Sequence, residues 1–545
     1  MTRPSCVAAG SEAWRRPAAK TKRGERSNAK TDRIRVMETN VTQVETHGVQ
    51  QFVNRRARIA LRIVQAGALA VVLIATTLHA FELDRFFVPK ELVLHVTALL
   101  AGILVARATA SRVDRLLALF LLVSALSAIF APNPWLAMRA VAISASSVVL
   151  FWTARGLREA GLGEPLVRGL ALAVIAAAVT SLLQTYGLDL DFFSEQRAPG
   201  GTLGNRNFVA HVAAFGFPLV LFAALRARRY WLWSIGAAIT IASLVLTRSR
   251  AAWLAFAAVL VVFLATLIFT RQRVFGRLAG VALIACVAVG AALVLPNSLH
   301  WRSDNPYLET MRRVADYGGG SGHGRLVQYE RSLNMALHHP LLGAGAGNWA
   351  VVYPAFAPKS DPSMNDSEPG MTFNPWPSSD WIAAVSERGP IAAALLALAF
   401  LALFFRKSND GLERAALLAT ITGALVAGLF DAVLLLAIPA FIVWTALGAL
   451  SCPDEAPRRQ WIVILVLLVS LLGAFRSASQ LIAMQIYVTH SDRASLAHAA
   501  TIDPGNFRLR VRLARGGPRK QRCEHARAAR TLYPHAVVAK RLGCD

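Results

Sequence analysis

The sequence predicts an all-α, polytopic helical membrane protein, and three observations predict it. First, 55% of the 545 residues are hydrophobic and 17% are charged, with a mean hydropathy of +0.45; a water-soluble chain of this length has too little interior to hide that much apolar surface. Second, apolar runs of about 20 residues recur, each long enough to cross a hydrocarbon core roughly 30 Å thick. Third, the connections between the runs alternate in kind, with arginine concentrated in every second one.

Residues 1–57 are polar and basic (Arg15, Arg16, Lys20, Lys22, Arg23, Arg26). No apolar stretch follows early enough for a cleaved signal peptide, so this segment reads as a disordered cytoplasmic extension, with Met37 as an alternative start. About 12–13 membrane helices follow. Hydropathy places thirteen segments at 58–81, 92–107, 115–131, 135–154, 166–186, 207–225, 230–247, 251–270, 277–296, 380–405, 413–430, 432–450 and 461–480. With the basic N-terminus inside, every even-numbered connection is basic: Arg107, Arg112 and Arg115; Arg155, Arg158 and Arg168; Arg226, Arg228 and Arg229; Arg271, Arg273 and Arg277; Arg406, Lys407 and Arg414; Arg458 and Arg459. This is the positive-inside pattern of a multi-pass membrane protein with a cytoplasmic N-terminus and an extracytoplasmic C-terminal tail.

The same orientation collects the unusual segments outside. They are the loop 187–206, the TRSR stretch at 247–250, the long loop 297–379 and the tail 481–545. The long loop exceeds an ordinary structureless connection and is expected to fold. The tail, with ATIDPGNFRLRVRLA and CEHARAARTLYP, resembles degenerate tetratricopeptide hairpins. So few repeats cannot bury a core alone, so the tail packs on the membrane domain 58–480 or binds a protein partner.

The net charge of +26 is explained by these loop arginines, and no nucleic-acid-binding motif accompanies it; nucleic acid is not an expected partner. None of the five cysteines (Cys6, Cys286, Cys452, Cys523, Cys544) forms a CxxC pair, so no metal or other cofactor is expected. Cys523 and Cys544 share the tail. There they either pair in an oxidising compartment or remain separate thiols.

Candidate functional residues lie where charge meets the outer membrane edge, since charge there is costly. LTRSRAAW joins two apolar segments through Arg248 and Arg250. A guanidinium is a permanently charged fork suited to phosphate oxygens. Arg248 also suits simple snorkelling to lipid headgroups, whereas Arg250, followed by small alanines, points to function. In 318–349, GGGSGHGRLVQYERSLNMALHHPLLGAGAGNW, helical periodicity spans 325–339 and Arg325 sits at its start, a combination that attracts anions. Gly343, Gly345 and Gly347 follow Pro340. Such a spacing serves ordinary tight turns as well as ligand loops, and it is not a dinucleotide fingerprint. His338 and His339 sit at the C-terminal end of this helix, where histidines are commonly only exposed.

GGTLGNRNFVAH (200–211) offers Asn205, Arg206 and Asn207 just before an apolar segment, either to a ligand or as a helix cap. FNPWPSSDW (373–381) opens the next segment with Asp380 as its only acid, and Glu387 follows two turns later. Lys90 and Arg139 lie near outer ends of segments and add positive charge. Arginines and glycines beside lipid fit a polyanion with a lipid tail, and a polyprenyl pyrophosphate is the matching chemical type.

These residues resemble the bacterial O-antigen ligase/polymerase superfamily, which includes O-linking protein oligosaccharyltransferases. The resemblance covers roughly 60–450. GTLGNRN resembles the family's glycine–asparagine motif, TRSRAAW its Thr-x-Ser-Arg-Gly-Ala-Trp motif, and Arg325 with Tyr329 and HPLLGAGAGNW its loop motif. The resemblance implies an inverting, metal-independent glycosyltransferase. Such an enzyme moves a glycan from undecaprenyl pyrophosphate to a glycan, lipid or protein hydroxyl, with Arg250 and Arg325 holding the diphosphate. The sequence departs from the family where a histidine base is expected after the large loop: Ser378 stands there, and serine cannot accept a proton near neutrality as imidazole does. Asp380 is the expected substitute base. A loop histidine (His338 or His323), or loss of transfer with retained binding of the lipid-linked glycan, are the alternatives. A transporter is a further rival, but it requires charges near the midplane, and here the polar residues collect outside.

Overall fold

A computed structural model describes residues 55–313, 318–406, 410–451 and 456–544. The basic extension 1–54 with Cys6 and Met37, and also Lys407 and Cys452, lie outside the described residues. The fold is helical throughout. Among the described residues the only β-type pairings are two isolated bridges.

Each of the thirteen predicted segments coincides with a helix. They are α1 (55–73), α2 (Asp84–Val105), α3 (Arg112–Ile129), α4 (Pro134–Glu159), α5 (Gly163–Thr185), α6 (Arg206–Arg226), α7 (Tyr230–Leu246), α8 (Arg250–Phe269) and α9 (Phe275–Val294). Beyond the long loop, which itself contains α10 (Pro306–Arg312), α11 (Gly320–His338) and α12 (Trp349–Val352), come α13 (Asp380–Phe404), α14 (Gly411–Ala427), α15 (Ala437–Leu450) and α16 (Gln460–Thr489). Eight of them, α2, α4, α5, α6, α8, α9, α13 and α16, are long and apolar enough to cross a membrane. Several starts carry side-chain caps. Ser111 accepts from the Asp114 amide at α3, Asn133 precedes Pro134 at α4, and Asp410 accepts from Leu412 and Glu413 at α14.

Helix α6 is the centre, enclosed by α5, α7, α8 and α14, while α9 packs mainly on α7 and leaves most of its surface outward. The connections gather on two opposite faces. One is the basic face, where the arginines are paired: Arg158 with Glu413 at 2.6 Å, Arg107 with Glu159, and Arg226 with Asp410. Deeper on that face Asp114 accepts from Thr109 N (2.6 Å) and Oγ1 (2.7 Å), Trp152 Nε1 (2.9 Å), and Arg155 (3.0 and 2.7 Å). A buried carboxylate needs such saturation to remain where it is.

The opposite face carries the long loop and is called the loop face below. There α13 and α14–α15 depart from regular helix. α13 is kinked at Gly389 (φ 84°), just before Pro390. The predicted segment 432–450 loses its first residues, because 428–436 is a non-helical turn, buried from Asp431 to Leu434, that precedes α15. Irregular backbone at such depth requires partners for its amides. Asp380 supplies them: its Oδ2 accepts from Val433 and Leu434, each at 2.9 Å.

Helix α16 runs past the expected end of its segment to Thr489. The tail then forms α17 (Arg493–Ile502), α18 (Phe507–Ala514), α19 (Arg519–Leu532) and α20 (Val537–Lys540). It is docked on the loop face. Leu532 O accepts from Asn133, the Val537 amide donates to Pro369 O, Arg508 donates to Ala80 O, and Gly505 lies against the Trp135 ring. Cys523 and Cys544 form a disulfide, while Cys286 is free and exposed.

Candidate functional site

The loop face holds an open cavity of about 1110 Å³. Its walls come from the α5–α6 loop, the α7–α8 join, the start of the long loop and the first residues of α11. Five arginines line it: Arg206, Arg248, Arg250, Arg302 and Arg313, against the carboxylates of Asp189, Glu195 and Glu309. The N-terminus of α11 opens into the same space at Gly319 and Gly320, so the positive end of the helix dipole adds to the field.

Local backbone explains how the two join arginines arrive together. Only Thr247, Arg248 and Ser249 separate α7 from α8, and Arg248 takes the left-handed conformation (φ 55°) to make the reversal. For a non-glycine residue that costs on the order of 1 kcal/mol or more. Arg248 donates to Thr310 Oγ1 at 2.9 Å, lies 3.8 Å from Glu309, and stacks on the Trp301 ring at 4.8 Å. Arg206, the first residue of α6, stacks on the same ring at 4.9 Å. Trp301 thus fixes two guanidiniums at one point of the wall. Burial pushes the Arg248 guanidinium below its ordinary range, with Glu309 opposing. Arg250 donates to the Arg313 carbonyl at 2.8 Å. Arg248 therefore turns into the protein's own loop, where snorkelling to headgroups was the simpler expectation.

The other predicted residues are placed differently. Arg325 lies five residues inside α11, within electrostatic reach of His211 on α6, and is not among the residues lining the cavity. Lys90 is fully buried and donates to the Ile74 carbonyl. Arg139 makes a forked pair with Glu91 (2.8 and 3.0 Å to Nε) and lies 3.8 Å from Asp84. Neither lines the cavity: Lys90 is turned to a backbone carbonyl and Arg139 to carboxylates on α2. Asn205 is the N-cap of α6, accepting from the Asn207 amide at 2.9 Å, so the residue of that stretch that faces the cavity is Arg206 between them.

Gly343 and Gly345 face protein. The Ala344 and Gly345 amides donate to Ser386 O (2.8 Å) and Glu387 O (3.0 Å), and the Glu387 carboxylate accepts from Gly347 and Trp349. A Cβ at Gly345 (φ 103°) would lie 2.5 Å from Ala131 Cβ, and one at Gly343 would collide with Glu387 backbone. The glycine spacing is a wedge that docks the loop onto the α13 kink.

Around the opening of α13, Ser379 is the N-cap, accepting from Ile382 and donating to Gly428 O at 3.0 Å. Ser378 is held through its main chain: its amide donates to Gln328 Oε1 (2.6 Å) and its carbonyl accepts from the Tyr329 hydroxyl (2.7 Å), which also reaches Leu429 O (2.7 Å). Asp380 is buried; Oδ2 is taken by the turn amides and Oδ1 has no hydrogen-bond partner among the described residues. Trp376 packs edge-on against Phe87 (5.0 Å) and tilted against Phe208 (6.1 Å). His338 bonds Asn334 O and stacks on Phe356, roughly 20 Å along α11 from Arg325 at 1.5 Å per residue. His323 is exposed near the start of that helix.

Sequence reasoning missed Trp301, Arg302 and Arg313, which carry no motif, and His211 with Asp431. His211 did leave a signal, as an ionisable residue inside an apolar run.

Fold and cavity together define a polytopic α-helical membrane protein with an arginine-lined chamber at one face. Residues 235–397, from α7 into the second half of α13, match the family model described as O-antigen ligase, which places this segment in the O-antigen ligase superfamily and supports an O-antigen ligase-like function in general terms. The matched span contains Arg248, Arg250, Arg325 and Asp380; Arg206, His211 and Asp431 fall outside it. A search of curated proteins returned no match to the chain.

Proposed function

We propose that this protein transfers a glycan from a polyprenyl diphosphate, of the undecaprenyl type, to a hydroxyl on a glycan, lipid or protein, at the periplasmic face of a bacterial inner membrane. The observation that carries the reading is the cavity where Arg206, Arg248 and Arg250 meet the N-terminus of α11. Permanent donors aimed at one point stabilise charge as it grows on a departing diphosphate, with no reorganisation at the moment of reaction. The arrangement needs no metal to offset that charge, and attack opposite the departing diphosphate inverts the anomeric centre. The paired arginines of the opposite face support a cytoplasmic side there, and the tail disulfide supports an oxidising compartment for the loop face.

The test uses the full chain reconstituted in liposomes with a glycan carried on polyprenyl diphosphate and a hydroxyl acceptor. Arg250→Ala and Arg206→Ala each lower transfer by about 10²-fold or more, while Arg228→Ala, exposed on the basic face, leaves it unchanged. Equal rates in all of these would remove the proposal. Ser378, whose hydroxyl cannot act as a base, favours a second reading, binding of the lipid-linked glycan without transfer. Donor binding by the parent chain with no product identifies that case.

A further inference from the structure

Attack by a hydroxyl releases a proton, and arginine cannot accept one. The charged groups around α6 answer that need. His211 is buried within α6 and neither of its ring nitrogens has a hydrogen-bond partner among the described residues. Its Nδ1 lies 3.9 Å from Asp431 Oδ2, in the non-helical turn before α15. Polar atoms buried this fully are almost always bonded, and exceptions call for an explanation. The turn is not loose: Asp380 holds its amides, and Ser379 and Tyr329 hold its carbonyls. Three further charges act on the pair, Arg325 from α11 on His211, and Arg197 from the α5–α6 loop and Asp380 from α13 on Asp431. Phe208, one turn nearer the loop face than His211, packs on Trp376.

Resting on the transferase reading, we propose that His211 is the proton acceptor for the incoming hydroxyl, with Asp431 orienting the ring and offsetting its charge. The hydroxyl O–H breaks and its proton passes to the imidazole. The oxygen bonds the anomeric carbon as the carbon–oxygen bond to the diphosphate breaks. The electron pair leaves with the diphosphate, and the imidazolium, held against Asp431, later releases its proton to water. A 3.9 Å separation is compatible with this, since such contacts commonly tighten only when substrate is bound. Asp380 then serves the site through the turn that carries Asp431, and the proton falls to His211.

The experiment measures donor binding and single-turnover transfer separately in liposomes. His211→Gln keeps ring-like polarity without basicity. It is expected to lower transfer by about 100-fold or more with donor binding within threefold of the parent, whereas Arg250→Ala weakens donor binding itself. Asp431→Asn is expected to move the acid limb of the rate–pH profile to lower pH, because the imidazolium loses its counter-charge. Transfer by His211→Gln within threefold of the parent overturns the proposal, as does an equal loss of binding and transfer. So does loss confined to His300→Gln, the exposed histidine lining the cavity. Should His211→Gln not fold, an unmoved profile in Asp431→Asn is the overturning result. A parent chain that binds donor and transfers nothing removes the transferase reading, and His211's role with it.

Discussion

At the scale of single residues, the chain separates groups that hold the protein from groups that face the cavity. Asp114 belongs to the first kind. Its carboxylate accepts five hydrogen bonds, two of them from a guanidinium with no exposed surface. Asp114→Ala strands that guanidinium and is expected to cost about 3–5 kcal/mol, while a double change of Asp114 and Arg155 to leucine costs less than either single loss. Unfolding in detergent, followed by tryptophan fluorescence, measures both. Gly345 makes a similar point from geometry. Gly345→Ala meets both a left-handed backbone and Ala131, and should lose about 2–4 kcal/mol. Gly290→Ala on α9, where nothing lies within 4 Å of the added methyl, should stay within about 0.5 kcal/mol.

At the scale of elements, the tail depends on its staple and on one buried acid. The disulfide joins residues 21 apart, tying α19 to the chain beyond α20. Its removal by Cys523→Ser with Cys544→Ser is expected to weaken the tail by about 2–4 kcal/mol, seen as faster proteolysis after Thr489 with the membrane helices intact. Asp503, between α17 and α18, is pushed above the ordinary carboxylate range by burial, against the pull of Arg476 and Asn506. For an acid raised in the folded state, the contribution to stability is complete below the unfolded value of about 3.9. It is lost as pH rises through the folded value. Tail docking should therefore loosen as pH climbs from the ordinary aspartate range, and Asp503→Asn should flatten that dependence in the same proteolysis assay.

At the scale of the whole molecule, the helices and their alternation across two faces were legible because both follow from the cost of placing polar groups in hydrocarbon. The same cost exposed Arg248 and Arg250 as a pair worth attention. It does not separate Lys90 and Arg139 from residues that face the cavity, since a charge at a helix end looks alike whether it faces a cavity, a backbone carbonyl or a carboxylate on a neighbouring helix. GxGxG suits a ligand loop and a tight turn alike. It is a docking wedge, because glycine permits close approach of backbone as readily as of ligand. Asp431 and His211 stand on elements far apart in the chain, and nothing local to either announces the other.

Helix α16 has 30 residues, about 45 Å at 1.5 Å per residue, against a hydrocarbon core of roughly 30 Å. It therefore stands some 15 Å proud of the bilayer and delivers the tail to the loop face on a stiff post. The tail meets its docking surface as an intramolecular partner, at an effective concentration no separate polypeptide reaches in solution. Individually weak contacts, such as Arg508 with Glu368 at 3.5 Å, are then enough to keep it seated, and the same tail supplied as a free fragment should fail to displace it.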